Sequence, residues 1–194
     1  KPTLLILPRI SIGTNANNFK ANGAADGTKT DTPTRARQTI AVGKNAMTYG
    51  ESSIALGNGA KTTNLKYNTS TASPAYTTAN RAIAVGASSE ASGESSAVIG
   101  VEAKTERNDS MAIGKKAQVL ADPSDNTAFA KTNNMAIGNN ALIARHVGTS
   151  SLAVGHNAQA LGADNQKMAL GTNSVSSGTI SSAVGVAAKA HGDT

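Results

Sequence analysis

Three histidines, His146, His156 and His191, are the side chains of this 194-residue chain best suited to act as a general base near neutral pH. None is flanked by an obvious orienting partner, so exposed turn positions are expected for all three. Cysteine is absent, which removes a thiolate nucleophile, a disulfide framework and any Cys-based metal site. Gly57-Asn58-Gly59-Ala60-Lys61-Thr62 has phosphate-loop residue types but not the Gly-x-x-x-x-Gly-Lys spacing, and no helix follows it. Glu90, Glu94, Glu102, Glu106 and Asp109 form an acidic stretch whose scattered spacing reads as a solvated face rather than a general-acid pair. Asp122 and Asp125 would need more oxygen ligands than their segment supplies to hold Ca²⁺. Asn68-Thr69-Ser70 and Asn108-Asp109-Ser110 satisfy the N-glycosylation rule, which matters only in a host that glycosylates. No catalytic constellation results; an enzyme is not expected, nor a cofactor or metal.

Composition narrows the classes further. The net charge is +6, but Lys and Arg are scattered, Lys115-Lys116 is the single adjacent pair, and only five aromatics are available to stack on bases. Nucleic acid is therefore not an expected partner. No run approaches the roughly 20 apolar residues of a membrane-spanning helix. Leu4-Leu5-Ile6-Leu7, between Pro2 and Pro8, is too short for a signal-peptide core, so targeting and anchoring parts are expected outside this chain. With 35 Ala, 19 Gly and two Phe, the chain has too little bulk for an ordinary core. At 15% charged residues it also lacks the high charge of a disordered chain.

An internal repeat resolves this. An aliphatic, Ala, aliphatic, Gly unit recurs as Ile40 to Gly43, Ile54 to Gly57, Ile83 to Gly86, Met111 to Gly114, Met135 to Gly138, Leu152 to Gly155 and Met168 to Gly171. Weaker copies end at Gly13, Gly100 and Gly185, making ten. The residue before the glycine is always Ile, Val or Leu, and the third residue after it is always Ala or Ser. Successive glycines are 30, 14, 29, 14, 14, 24, 17, 16 and 14 residues apart, so the period is 14, and frequent second glycines at Gly50, Gly93, Gly162, Gly178 and Gly192 split it into seven plus seven.

Each triplet reads as a short strand, the glycine as a bend, and the half-period as a second strand carrying small residues such as Ala158 and Ala160. Helix is disfavoured, because a recurring glycine costs about 1 kcal/mol each time. The expected fold is an all-β solenoid of ten coils, a parallel β-roll about 50 Å long. Such a thin roll needs partners to bury its aliphatics, so an obligate oligomer is expected. Its axis is lined by the triplet residues Ile40, Val42, Ile54, Leu56, Ile83, Val85, Ile99, Met111, Ile113, Met135, Ile137, Leu152, Val154, Met168, Leu170 and Val184. The alternative puts these groups inside each roll and Ala at the axis; the pattern alone serves both.

Residues in excess of the period leave from one edge. They define insertions near 19–37, 63–80, 121–133 and 145–148 in a roll spanning 10–194, after a lead-in at 1–9. Their Asn, Thr, Ser, Asp and Pro content reads as loops rather than extra strands. The first two are basic, with Lys20, Lys29, Arg35 and Arg37 against Asp26 and Asp31, then Lys66 beside Tyr67 and Tyr76. These seven basic and aromatic residues are the candidate partner-binding positions.

One local match points elsewhere. Val42-Gly43-Lys44-Asn45-Ala46-Met47 fits one unit of the hexapeptide-repeat acyltransferases, which use a His base and acetyl-CoA, but their triangular coil needs about 18 residues per turn, not 14. Ser53-Ile54-Ala55-Leu56-Gly57-Asn58-Gly59-Ala60 and Asn134-Met135-Ala136-Ile137-Gly138 instead resemble the Asn-Ser-Val-Ala-Ile-Gly repeat of trimeric autotransporter adhesins, specifically the YadA-like head domain. The resemblance runs from Ile10 to the end. It implies a homotrimer of left-handed β-rolls, anchored in a bacterial outer membrane through a coiled-coil stalk and a barrel, exposed at the cell surface, and binding extracellular-matrix or host-cell molecules. A passive spacer or self-association module is the alternative role. Neck, heptads and anchor strands are not found in this sequence, so an excised head piece is expected.

Overall fold

A computed structural model describes residues 9–18, 38–63, 66–67, 75–76, 79–122, 131–163 and 165–191. Among them there is no helix, and apart from one short hairpin the strands form two ten-stranded parallel sheets. The front sheet holds the triplets, from Arg9–Ile12 through Met111–Ile113 to Ser182–Val184. The back sheet holds two-residue strands from Asn17–Asn18 through Gln118–Val119 to Lys189–Ala190. Ala158 lies just before its back strand, Gln159–Ala160, rather than within it.

We number the coils 1 to 10 by their anchor glycines, Gly13 to Gly185. Pairing is in register throughout: Met111 faces Met135, Ala112 faces Ala136 and Ile113 faces Ile137. Each repeat position therefore forms a column along the rod. The ladder is carried by main-chain bonds such as Gly114 N–H to the Ile99 carbonyl and Gly138 N–H to that of Ile113, at 2.8 and 2.7 Å. The seven-plus-seven split has a backbone cause. Two residues after each anchor glycine the chain turns with positive φ, and in uninterrupted coils it does so again seven residues further on, as at Ser88 (55°) and Ser95 (53°) or Asn45 (57°) and Ser52 (54°). Asn tolerates this conformation best among residues with a side chain, which explains its frequency in the first turn.

The inside of the roll settles the orientation that the repeat left open. The middle Ala of the triplets, including Ala41, Ala84, Ala112, Ala136 and Ala169, is fully buried between the sheets, facing Ala and small polar residues such as Ala117, Ala141, Thr62 and Thr105. The flanking aliphatics point outward and are at best half-buried in the single chain; Ile83, Ile99 and Val184 stay 37%, 47% and 66% exposed. Fourteen residues per coil leave a narrow gap between the sheets, filled where Ala faces Thr, Val119 or Ile143, so a second large aliphatic from the triplet goes outside. Coil 5 inverts the pattern, with Val98 inside among Ala84, Ala91, Ala103 and Ala112 and Ala97 outside. Ala91, at a position where coils 2, 3, 5, 6 and 7 carry Thr, Val or Ile, gives Val98 its space.

The second insertion departs from the expected loop. Lys66–Tyr67 and Ala75–Tyr76 pair as an antiparallel hairpin, Lys66 opposite Tyr76 and Tyr67 opposite Ala75. Strands of two residues are too short for an alternating pattern to announce them.

Candidate functional site

The roll presents two unlike surfaces, an aliphatic front sheet and a mostly polar back sheet that meets the edge from which the insertions leave. On the front, the column before the glycines runs Ile12, Val42, Leu56, Val85, Ile99, Ile113, Ile137, Val154, Leu170 and Val184 without a polar interruption. The parallel column two residues earlier is Ile or Met except at Ala97, Leu152 and Ser182. The missing bulk at Ala97 opens a groove of about 330 Å³ bordered by Met111, Met135, Asp109 and Asn133. A contiguous apolar stripe of this length marks a surface that another chain covers.

On the back sheet most outward positions are polar, Met47, Leu142 and Val175 excepted, and those of coils 3 to 5 are cross-linked. Glu90 lies 3.4 Å from the Lys61 ammonium and 3.6 Å from that of Lys104, which in turn lies 2.8 Å from Glu106. Burial by itself would lower the Lys104 pKa; its hydrogen bond to Glu106, with the charges of Glu106 and Glu90, outweighs that and leaves it raised. A raised lysine pKa stabilises the folded chain at all pH values below the ordinary lysine value, and that contribution disappears as pH climbs through the folded-state pKa. The melting temperature of a Lys104→Met variant is therefore expected below that of the natural chain at neutral pH, with the difference shrinking in strong alkali. A constant difference across that range would contradict this origin.

The network continues to the insertion roots. Glu106, 4% exposed, accepts a hydrogen bond from Ala121 N–H at 2.9 Å and lies 3.5 Å from the Arg145 guanidinium, which donates to the Ala121 carbonyl at 2.7 Å. His146 Nδ1 is 3.0 Å from Asp122 Oδ2, an orienting partner the local sequence did not reveal because it stands 24 residues away. His191 lies beside the Ser177 hydroxyl and His156 beside the Asn157 amide. All three histidines are exposed, in turns or at the roll's end. Among the described residues no group of three or more His, Asp or Glu is placed to hold a metal ion.

The basic candidates are distributed unevenly. Lys66, Tyr67 and Tyr76 belong to the hairpin, whose register sets Lys66 opposite Tyr76 and Tyr67 opposite Ala75, so the two tyrosines are not cross-strand partners. Lys20, Lys29, Arg35 and Arg37 lie outside the described residues.

The YadA head domain repeat matches the chain over residues 36–60, 91–117 and 147–164, segments centred on the coils just described. No curated protein matches the chain.

Proposed function

We propose, since this chain is a YadA-like head domain of a trimeric autotransporter adhesin, that it acts at a bacterial cell surface as a rigid trimeric rod binding extracellular-matrix or host-cell molecules. YadA-like heads form homotrimers and act as adhesins, and theirs is an adhesin family rather than an enzyme family. The observation that carries the reading is the front sheet, an aliphatic face too long to be left in water and uniform enough to meet copies of itself. Three rolls joined there would leave the back sheets and the insertion edges on the outside, so each binding position is presented three times and weak contacts sum by avidity. Attachment to the outer membrane would come through an anchor beyond these residues.

The recognition surface in this reading is the insertion edge, with Lys20, Lys29, Arg35, Arg37 and Lys66 supplying positive charge for an anionic or matrix-protein partner. Replacing these five by Gln is expected to reduce retention on immobilised collagen, fibronectin or laminin by at least about tenfold at low salt, with less effect at high salt. Unchanged binding would move recognition away from the basic edge. Clumping of bacteria that display the head, without any matrix binding, would favour a self-association module instead.

A further inference from the structure

Seven residues past the anchor glycine, coils 2, 4, 8 and 9 carry Gly50, Gly93, Gly162 and Gly178, whereas the uninterrupted coil 5 carries Arg107. The reason for glycine is plain at Gly93, where an added Cβ would run into the carbonyl of Arg107 in the next coil. The same stacking would drive the Cβ of Arg107 into the carbonyl of residue 121 if coil 6 closed after 14 residues. Coil 6 does not close: Gly114 and Gly138 are 24 residues apart, and the excess falls in the insertion after Asp122.

The Arg107 side chain occupies this interruption. It is fully buried and reaches coil 7, donating from Nη1 to the carbonyls of Val147 and Gly148 at 2.5 and 3.0 Å, and from Nη2 to those of Arg145 and Ala144 at 2.7 and 3.3 Å. Four carbonyl oxygens gathered by one planar guanidinium is a geometry that lysine cannot reproduce. Next to it, Glu106 holds the departing chain at Ala121.

We propose that Arg107 is a side-chain rung: it carries the hydrogen-bond ladder from coil 5 to the second turn of coil 7 past the place where coil 6 leaves the roll. The rung fixes the 144–148 segment against the root of the 121–133 insertion, so that the two are presented as one rigid unit. Arginine at this position depends on the insertion above it; the converse does not hold, since Gly50 lies below the 63–80 insertion and an added Cβ there would still run into the Ala79 carbonyl.

That dependence predicts a change of sign. Deleting residues 123–132 removes ten residues and restores a 14-residue coil 6. In the natural chain Arg107→Gly is expected to lower the melting temperature; in the deletion chain the same substitution is expected to raise it, by relieving the clash with residue 121. Hydrogen exchange on the natural chain should show amides of 144–150 exchanging about tenfold faster or more in Arg107→Gly, while those of 54–62 keep their rates. A shift of the same sign in both backgrounds, or unchanged exchange at 144–150, would overturn the rung. If Arg107→Gly does not fold in the natural chain, the deletion pair decides alone: a deletion chain that keeps Arg107 and is no less stable than its Arg107→Gly variant overturns the proposal.

Discussion

Replacing Gly114 by Ala is expected to destabilise the head by roughly 2–6 kcal/mol, adding about 1–3 for backbone strain to about 1–3 for overpacking. Gly114 has φ of 123°, which a residue with a Cβ adopts only under strain. The added Cβ would also stand 2.5 Å from the carbonyl oxygen of Gly138 and 2.7 Å from its carbon. Both obstacles are backbone, held by the ladder and unable to rotate away. Gly185 supplies the control, because it shares a φ of 122° but belongs to the last coil, where its Cβ would meet only Ala188 Cβ at 3.9 Å. Gly185→Ala should therefore show the strain without the clash. Denaturant midpoints at matched protomer concentration measure the difference; equal losses for the two variants would mean that coil stacking is not what demands glycine.

Introducing a carboxylate into the front column, as Ile137→Glu, is expected to abolish the trimer at micromolar concentration. Three copies would lose up to roughly 5–9 kcal/mol of apolar burial per trimer, at about 1.5–3 kcal/mol for each aliphatic side chain. The three carboxylates would also have to leave water and face one another along the axis. Gln159→Glu, which adds the same charge outward on the back sheet, should leave assembly intact. Sedimentation velocity of the two variants discriminates between the surfaces. An Ile137→Glu head that remains trimeric would show that the aliphatic sheet is not the shared face, and the adhesive rod would need another means of assembly.

Both expectations follow from columns that can be counted in the sequence. In-register parallel stacking puts each residue beside its counterpart one coil away, so a one-dimensional period of 14 becomes a contact list without further information. The ten coils and the glycine ladder were readable for this reason. The turn chemistry was readable in part, since Asn15, Asn45, Asn140, Asn157 and Asn173 stand where φ is positive, but Ile180 adopts the same conformation with no local signal for it.

Other features depended on distances through space. Aliphatic, Ala, aliphatic alternation says that two faces differ, not which one is inside; the narrow gap between sheets closed by 14-residue coils decides for Ala. The hairpin in the second insertion is too short to show a period. Asp122 beside His146, Glu106 beside Arg145, and Arg107 reaching carbonyls 37 to 41 residues onward join segments that no repeat relates. They occur where insertions break the period, and there neighbouring side chains replace the backbone ladder. The regular rod is thus written into the order of residues, because periodicity and stacking are one fact; the sealing of its interruptions emerges on folding alone, because it depends on which side chains reach across an interrupted coil.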